Sequence, residues 1–148
     1  MKNKILFKKL VKDCILPKYA HEEDAGMDIF SIEEKVIEPF SWGQIRAGFS
    51  MELPHGYEAQ VRSKSGLALK NGLFVLNSPG TIDENYRGEV CVMLMNLSKN
   101  EYVVEKNQKV AQMVINKVEH FECLETNELS ATSRGEGGFG STGLNKKE

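Results

Sequence analysis

VCVMLMNL at Val90–Leu97 and VAQMVINKV at Val110–Val118 are short runs rich in apolar residues. Runs of this length and composition are typical of buried β-strands. Ile5–Leu10 and Tyr57–Val61 alternate in part between apolar and polar residues, as strands with one solvent-facing side do. The sequence therefore predicts a protein that is built mainly from short strands.

Turn-forming residues separate these runs. They are Glu38-Pro39, Leu53-Pro54-His55-Gly56, Asn71-Gly72, Ser78-Pro79-Gly80 and Lys106-Asn107. No segment has the pattern of a long amphipathic helix, and the best helical candidate is Gly66–Lys70, closed by Asn71-Gly72. Many short strands with regular turns predict an all-β fold, namely a barrel, a sandwich or a jelly roll.

The bulk composition excludes several classes of protein. The 148 residues correspond to one ordinary domain, and a formal net charge of −2 argues against a general nucleic-acid binder. Three widely spaced cysteines, with no CxxC pair, argue against a disulfide framework and a structural zinc site. The three histidines are scattered without metal-ligand spacing. The amino-terminal stretch has no long apolar run, so we expect neither a signal peptide nor a membrane span. We therefore expect a cytoplasmic protein.

The last stretch differs from the rest of the chain. From about Ser130 it is rich in Gly, Ser and Thr and almost free of aliphatic residues. We therefore expect a β domain over residues 1–129 and a flexible arm over residues 130–148. A flexible terminus is the simpler interpretation, but Arg134 and Phe139 within the glycine run suit a lid that clamps an anion and stacks on a base.

Two stretches combine charged or hydroxyl groups with strand or turn patterns. Asp28 lies in the apolar run Ala25–Ile29, and a buried carboxylate is costly unless it is paired or used. A structural turn aspartate is the alternative. Arg62–Ala68 places cations, hydroxyls and a glycine before the short helix, as in an anion site, although an exposed Ser-Lys turn explains it equally.

Two further stretches are candidates for ligand binding. Asn77–Glu89 contains a Pro-Gly turn, the carboxylate of Asp83 and the ring of Tyr86, and Asn77–Tyr86 is expected to form a hairpin-like pocket. A solvated, charged hairpin is the alternative. Gln112 lies among apolar strand residues and is expected either to face solvent or to donate to a ligand.

Taken in order, these stretches resemble the five motifs of the trimeric dUTPase family. AGMDI is similar to the first motif, SKSGLA to the second, NSPGTIDENYRGEV to the third, KVAQMV to the fourth and RGEGGFGSTG to the fifth. The resemblance extends from Ala25 to Gly143. It implies a jelly-roll-like β-barrel, assembled as a homotrimer whose active sites are shared between subunits.

The resemblance also implies a reaction and the residues that perform it. The reaction is hydrolysis of dUTP to dUMP and pyrophosphate by attack of water on the α-phosphorus, with Asp83 as general base. Mg²⁺ would arrive chelated by the triphosphate, with Asp28 contacting it indirectly through water. The expected substrate-binding residues are Lys64, Ser65, Gly66, Asn77, Thr81, Ile82, Tyr86, Cys91, Gln112, Arg134, Phe139, Gly140 and Ser141.

Within this set, the resemblance assigns separate parts of the substrate. Lys64, Ser65, Gln112 and Arg134 would stabilise the phosphate oxygens, and Asn77 with nearby backbone would recognise uracil. Tyr86 would lie against the deoxyribose and exclude a 2′-hydroxyl. Phe139 would stack on the base when the arm closes.

The second motif departs from the family pattern at two positions. Lys64 stands where an arginine is usual, which keeps the charge but loses the bidentate fork. Ser63 replaces the usual proline.

Two other functions compete with this interpretation. dCTP deaminase resembles this fold but lacks the GGFGSTG arm, and the complete fifth motif argues against it. A catalytically silent trimer that binds nucleotide or protein has no need for a base such as Asp83.

Overall fold

The computed structural model describes residues 4–139 and residue 141. It is an all-β structure with one short helix, as the sequence predicted. The strands are β1 Leu6–Lys9, β2 Gly26–Phe30, β3 Lys35–Ile37, β4 Trp42–Arg46, β5 Phe49–Glu52, β6 Tyr57–Arg62, β7 Leu73–Val75, β8 Gly80–Ile82, β9 Cys91–Asn96, β10 Tyr102–Val104 and β11 Lys109–Lys117. The helix is α1 Ser65–Asn71.

The described strands form four antiparallel sheets. The largest has the order β2-β11-β6-β8, and a three-stranded sheet has the order β4-β9-β7. Two pairs, β1-β5 and β10-β3, complete the described strands. Neighbours in the sheets are far apart in sequence, so the fold depends on long-range pairing and is consistent with a jelly roll.

β11 lies inside the largest sheet, between β2 and β6. Its Gln112 stands opposite Asp28 on one side and Arg62 on the other. A register shift between Lys109 and Ala111 locally bends the strand. Three segments that are distant in sequence are therefore brought side by side by backbone hydrogen bonds.

The core lies between the sheets and is filled by alternate residues of the strands. On β9, Val92 and Leu94 are buried, whereas Met93 faces outward and is 36% exposed. On β11, Val110, Ala111 and Met113 are fully covered. The apolar runs that the sequence indicated as buried strands are thus buried on one face in the single chain.

Asn96 is a fully buried polar residue at the end of β9. Its Nδ2 donates to the carbonyl oxygens of Ile37 and Asn100, and its Oδ1 accepts the N–H of Ser98. These bonds satisfy the buried amide and tie the three-stranded sheet to β3.

The helix and the third-motif segment illustrate one confirmed prediction and one error. α1 ends at Gly72, whose φ of 68° and backbone N–H to the Ala68 oxygen form a left-handed cap. The prediction that Asn77–Tyr86 forms a hairpin is wrong, because β7 pairs with β9 while β8 pairs with β6. The segment instead crosses from one sheet to the other.

Beyond β11 the chain leaves the sheets. Val118 donates its N–H to the Gly56 oxygen, and every described residue from 119 onward is exposed. Three large apolar side chains, Phe121, Leu124 and Leu129, are 84%, 76% and 89% exposed there. Within the described residues, no helix is long and apolar enough to cross a membrane.

Gly48 is required by both backbone conformation and space. Its φ is 75°, and a Cβ there would lie 2.6 Å from Ile32 Cγ2 and 2.8 Å from Cys14 Cβ. Gly48→Ala should lower the free energy of unfolding by about 2–5 kcal/mol, the sum of left-handed strain and overpacking. Urea unfolding at fixed protein concentration measures the loss.

Gly56 provides the matched control, because its φ is 78° but a Cβ there meets no heavy atom within 4 Å. Gly56→Ala should therefore cost only the backbone strain, about 1–2 kcal/mol. Equal losses in the two variants would show that the contacts with Ile32 and Cys14 contribute nothing.

Candidate active site

The first group of functional side chains surrounds Asp28 on β2. Its Oδ1 accepts a hydrogen bond from Lys64 Nζ, and its Oδ2 lies 2.7 Å from Lys109 Nζ. The Asp28 side chain is only 13% exposed, whereas that of Lys109 is 50% exposed. The carboxylate predicted from the AGMDI run is thus neither unpaired nor a turn residue, since each oxygen contacts one ammonium group.

The two lysines determine the charge state of Asp28. Burial raises the pKa of its carboxyl group, but the hydrogen bonds from Lys109 and Lys64 outweigh burial, so the pKa lies below its ordinary value. The carboxylate is therefore ionised at neutral pH, and the three-residue group carries one net positive charge.

Gln112 lies beside this group. The sequence left two alternatives open, solvent exposure or a ligand contact, and the structure shows a third arrangement in which Nε2 donates to the Ser63 oxygen at 2.9 Å. Gly26 provides the space, because a Cβ there would lie 2.6 Å from the Gln112 Oε1. Ser63 Oγ accepts the N–H of Val75, so the loop that carries Lys64 is held on two sides.

Ser65 and Gly66 open helix α1, and both are exposed. Lys64 precedes them with an extended backbone, and its carbonyl oxygen accepts the Ala68 N–H. The predicted Ser-Lys turn is therefore a solvent-accessible surface beside the Asp28 group.

The second group lines a cavity of about 240 Å³, whose wall is formed by residues of β4, β8 and β9 and by the segments that follow β7 and β8. Six predicted residues contribute to its wall: Asn77, Thr81, Ile82, Asp83, Tyr86 and Cys91. Four further residues line it that were not among the expected substrate-binding residues: Gln44, Glu89, Val90 and Met93. Gln44 and Met93 stand opposite each other on β4 and β9, a relation that strand pairing alone creates.

Two glycines allow side chains to fold closely over this cavity. A Cβ on Gly80 would lie 2.9 Å from Asn77 Nδ2, and one on Gly88 would lie 2.3 Å from the Tyr86 hydroxyl oxygen. The Tyr86 hydroxyl group donates to the backbone carbonyl oxygen of Glu89 at 3.0 Å, and Tyr86 is 45% exposed. The ring is thus held with one surface open to solvent.

Asp83 follows β8 and lies at the edge of two cavities. It lines the cavity described above and also a second one of about 470 Å³, together with Thr81, Tyr57 and His120. The backbone carbonyl oxygen of Asp83 accepts the Tyr86 N–H at 3.1 Å, and this bond closes a turn directly after Asp83.

The neighbouring Glu84 attaches this turn to the β5–β6 connection. Its Oε1 lies 2.9 Å from His55 Nδ1, and its Oε2 accepts the Gly56 N–H at 2.6 Å. The hydrogen bond with His55 and then that from Gly56 lower the pKa of the Glu84 carboxyl group. Sequence reasoning missed this contact because the two turns are distant in the chain.

Cys91 is a partly buried thiol in the wall of the smaller cavity. Burial raises its pKa above the ordinary value for cysteine, so the group is a neutral wall residue at physiological pH. It suits contact with an uncharged part of a ligand.

The described carboxyl-terminal residues form a short turn among themselves. Arg134 Nε donates to the Gly137 oxygen at 2.7 Å, and Ser141 donates its N–H to the Gly138 oxygen. Phe139 is fully exposed. Gly140, also predicted as a binding residue, lies outside the described residues.

The structure therefore arranges the predicted residues in three places. Asp28, Lys64 and Gln112 form one group, the third-motif residues surround the cavity, and Arg134 with Phe139 lies on the exposed segment. Lys109, which sequence reasoning did not select, joins the first group through Asp28. Among residues 4–139 and 141, no cluster of three or more His, Cys, Asp or Glu side chains can hold a metal ion directly.

Chemically, the chain offers a cationic surface around Asp28 and, in a separate place, a polar cavity with the carboxylate of Asp83 in its wall. Lysine ammonium groups bind phosphate oxygens, and the amide and hydroxyl groups of the cavity can recognise a polar ring. Asp83 offers a proton acceptor at the cavity edge. These features suit a phosphorylated compound with a polar ring and a reaction that removes a proton.

A protein-family comparison agrees with this chemistry. The family described as dUTPase matches residues 12–143. That range includes β2 to β11, both groups of side chains and the exposed segment.

Two curated relatives are similar over nearly the whole chain. The deoxyuridine 5′-triphosphate nucleotidohydrolase of Alkaliphilus metalliredigens is 60% identical over 129 residues, which cover 87% of this chain and 90% of the relative. The protein of the same name from Clostridium acetobutylicum is 57% identical over 139 residues, covering 94% and 96%.

Solved structures show the same fold. The dUTPase of Staphylococcus bacteriophage 80alpha with dUpNHpp has a TM-score of 0.89 and 30% identity, covering 97% of this chain and 100% of that one. A point mutant of the dUTPase from phage phi11 of S. aureus, described with a structural Mg(II) ion, has a TM-score of 0.80 and 25% identity, covering 87% and 100%.

Proposed function

The chain belongs to the dUTPase family and hydrolyses dUTP to dUMP and pyrophosphate, and we propose that Asp83 is the general base of this reaction. The observation that carries the proposal is the position of Asp83, which stands at the edge of the cavity that Asn77, Thr81 and Tyr86 also line. A base at that edge can reach a water molecule beside a nucleotide bound in the cavity.

In this mechanism, Asp83 takes a proton from water as the water oxygen attacks the α-phosphorus. A new P–O bond forms, and the bond from the α-phosphorus to the oxygen bridging to the β-phosphorus breaks. The electron pair leaves with pyrophosphate. The reaction would lower the concentration of dUTP, and it would supply dUMP as a precursor for thymidylate synthesis.

The cavity around Asn77 would hold the nucleoside. Asn77 and nearby backbone groups, with Thr81, Ile82 and Cys91, would surround uracil. Asn77 folds over Gly80, and this close contact supports a fixed orientation of its amide. Tyr86 would lie under the deoxyribose. Its ring packs closely against Gly88, and its hydroxyl group donates to the backbone oxygen of Glu89, so these contacts fix the orientation of the ring.

The cationic surface would hold the phosphates. Lys64 has three ammonium hydrogens, so it can bind a phosphate oxygen while it still contacts Asp28. Ser65 and Gly66 are exposed beside it, and Gln112 supports the loop through the Ser63 oxygen. Arg134 would add a cation from the carboxyl-terminal arm.

We propose that Mg²⁺ is carried by the triphosphate of the substrate. The donor set fits this binding mode, because both oxygens of Asp28 already contact ammonium groups and leave it suited to contact through water. When bound, the ion would neutralise part of the triphosphate charge.

A homotrimer with shared active sites is supported by surfaces that the single chain leaves uncovered. Trp42, Met95 and Phe74 form one row across β4, β9 and β7, and Trp42 is 60% exposed. Leu76 and Met93 extend this apolar face. Exposed apolar patches of this kind are typical of subunit interfaces.

The carboxyl-terminal segment supports both assembly and a lid. Phe121, Leu124 and Leu129 expose apolar surface that another subunit could cover. We propose that residues 1–129 form the β domain and that residues 130–148 form an arm which closes over a bound nucleotide. Phe139, Gly140 and Ser141 would then contact the substrate. The free cysteines fit a reducing compartment, so we propose the cytoplasm as its location.

Asp83→Asn tests the base. The variant should fold and bind nucleotide, but kcat for pyrophosphate release from dUTP should fall about 10²–10⁴-fold, because the amide cannot accept the proton. Asp13→Asn, an exposed aspartate on a turn, is the control and should retain wild-type kcat. A folded Asp83→Asn protein with near wild-type kcat would refute the assignment.

Tyr86→Ala tests sugar selection. Removing the ring should open space under C2′ for a 2′-hydroxyl group. The ratio of kcat/KM for dUTP to kcat/KM for UTP should therefore fall. Tyr19→Ala is a matched control, because Tyr19 is 46% exposed and Tyr86 45%. An unchanged ratio in Tyr86→Ala would mean that Tyr86 has another role.

Deletion of residues 134–148 tests the arm. Ordering each residue of an arm costs about 1–2 kcal/mol of backbone entropy. Contacts with the bound nucleotide must offset this cost, so we expect the arm to close only when a triphosphate is bound. The truncated protein should remain a trimer in sedimentation equilibrium and keep its melting temperature, whereas kcat on dUTP should fall steeply. Full activity would exclude a lid, and a large loss of stability would assign the segment a structural role.

A further inference from the structure

Lys109 is the charged residue closest to Asp28 that the proposed mechanism leaves without a role. It is the first residue of β11 and pairs with Phe30 of β2. Its Nζ lies 2.7 Å from Asp28 Oδ2 and 5.9 Å from the centroid of the Phe30 ring. The strand pairing and the ring together keep the ammonium group beside the carboxylate.

Asp28 creates an electrostatic difficulty at a phosphate site. Its carboxylate contacts Lys64, the lysine proposed to bind the triphosphate, and one carboxylate cancels one ammonium charge. With Asp28 and Lys64 alone, the group would be neutral and would offer no net attraction to a polyphosphate. The carboxylate would also repel the phosphate oxygens at short range.

Lys109 resolves this difficulty by occupying the other carboxylate oxygen. The three side chains together have two positive charges and one negative charge. Because Lys64 and Lys109 contact different oxygens, Lys109 keeps the largely buried carboxylate paired when Lys64 shares its ammonium hydrogens with a phosphate.

We infer that Lys109 is a positioning residue for triphosphate binding, which neutralises Asp28 so that the charge of Lys64 is available to the phosphates. The inference rests on the proposed phosphate contact of Lys64. Lys64 supplies the ligand contact, and Lys109 supplies the lasting partner of Asp28.

The experiment measures the Kd of the nonhydrolysable analogue dUpNHpp by calorimetry, using the full-length protein in EDTA so that no divalent ion contributes. Lys109→Met should raise Kd about tenfold or more, the usual effect of losing a charge-assisted interaction. The Kd of dUMP, which has a single phosphate, should rise less. Lys109→Arg should restore binding, and Lys106→Met, an exposed lysine nearby, should not change it.

The double variant Asp28→Asn with Lys109→Met distinguishes charge balance from a structural role. It removes one charge of each sign, so the net charge of the group returns to the wild-type value and the Kd of dUpNHpp should return to near wild type. Melting temperatures check that each variant is folded. A purely structural role for Lys109 predicts that the double variant binds as weakly as Lys109→Met.

Two results would overturn the role of Lys109 itself: an unchanged Kd in Lys109→Met, or no recovery in the double variant. Lys64→Met tests the underlying phosphate contact separately. An unchanged Kd in Lys64→Met would refute that contact, whereas the charge-balance role of Lys109 is decided by the variants at positions 28 and 109.

Discussion

The backbone pairing of β11 with β2 on one side and β6 on the other organises most of this molecule. Gln112 stands between Asp28 and Arg62 in that register, and the loop after β6 then carries Ser63 and Lys64 to the same place. A shift of β11 by one residue would turn Gln112 toward the core and Met113 toward solvent, and it would move Gln112 from its place opposite Asp28. The arrangement of the group around Asp28 and the packing of the core therefore depend on the same set of hydrogen bonds.

The same sheet links the group around Asp28 to the cavity that Thr81 and Asp83 line. β6 pairs with β11 through Arg62 and, on its other edge, with β8 through Val61 opposite Gly80. β8 then leads directly into Asp83. Strands of this sheet thus flank the proposed base and phosphate-binding groups, while Arg134 and Phe139, the proposed residues of the arm, lie on the exposed carboxyl-terminal segment. A preformed site with a closing arm is a common way to exclude water during hydrolysis.

Charge in this protein is arranged locally. The chain has a formal net charge of −2, yet the group around Asp28 is positive. The two lysines beside Asp28 give point charges that are separately placed. Near the cavity, the contacts of Glu84 with His55 and Gly56 attach the segment after Asp83 to a neighbouring turn.

By itself, the sequence determined the all-β class and the short helix with its glycine cap, and its ordered motifs indicated the family and the candidate site residues. Local patterns suffice for these features, because apolar runs, turn residues and ordered motifs are properties of neighbouring positions. Tertiary structure decided the rest. It placed β7 and β8 in different sheets, so that Asn77–Tyr86 bridges two sheets and is not a hairpin. It also brought Lys109 to Asp28, Gln44 to Met93 and His55 to Glu84. These contacts join residues far apart in the chain, and strand register, which no local pattern encodes, determines which side chains meet.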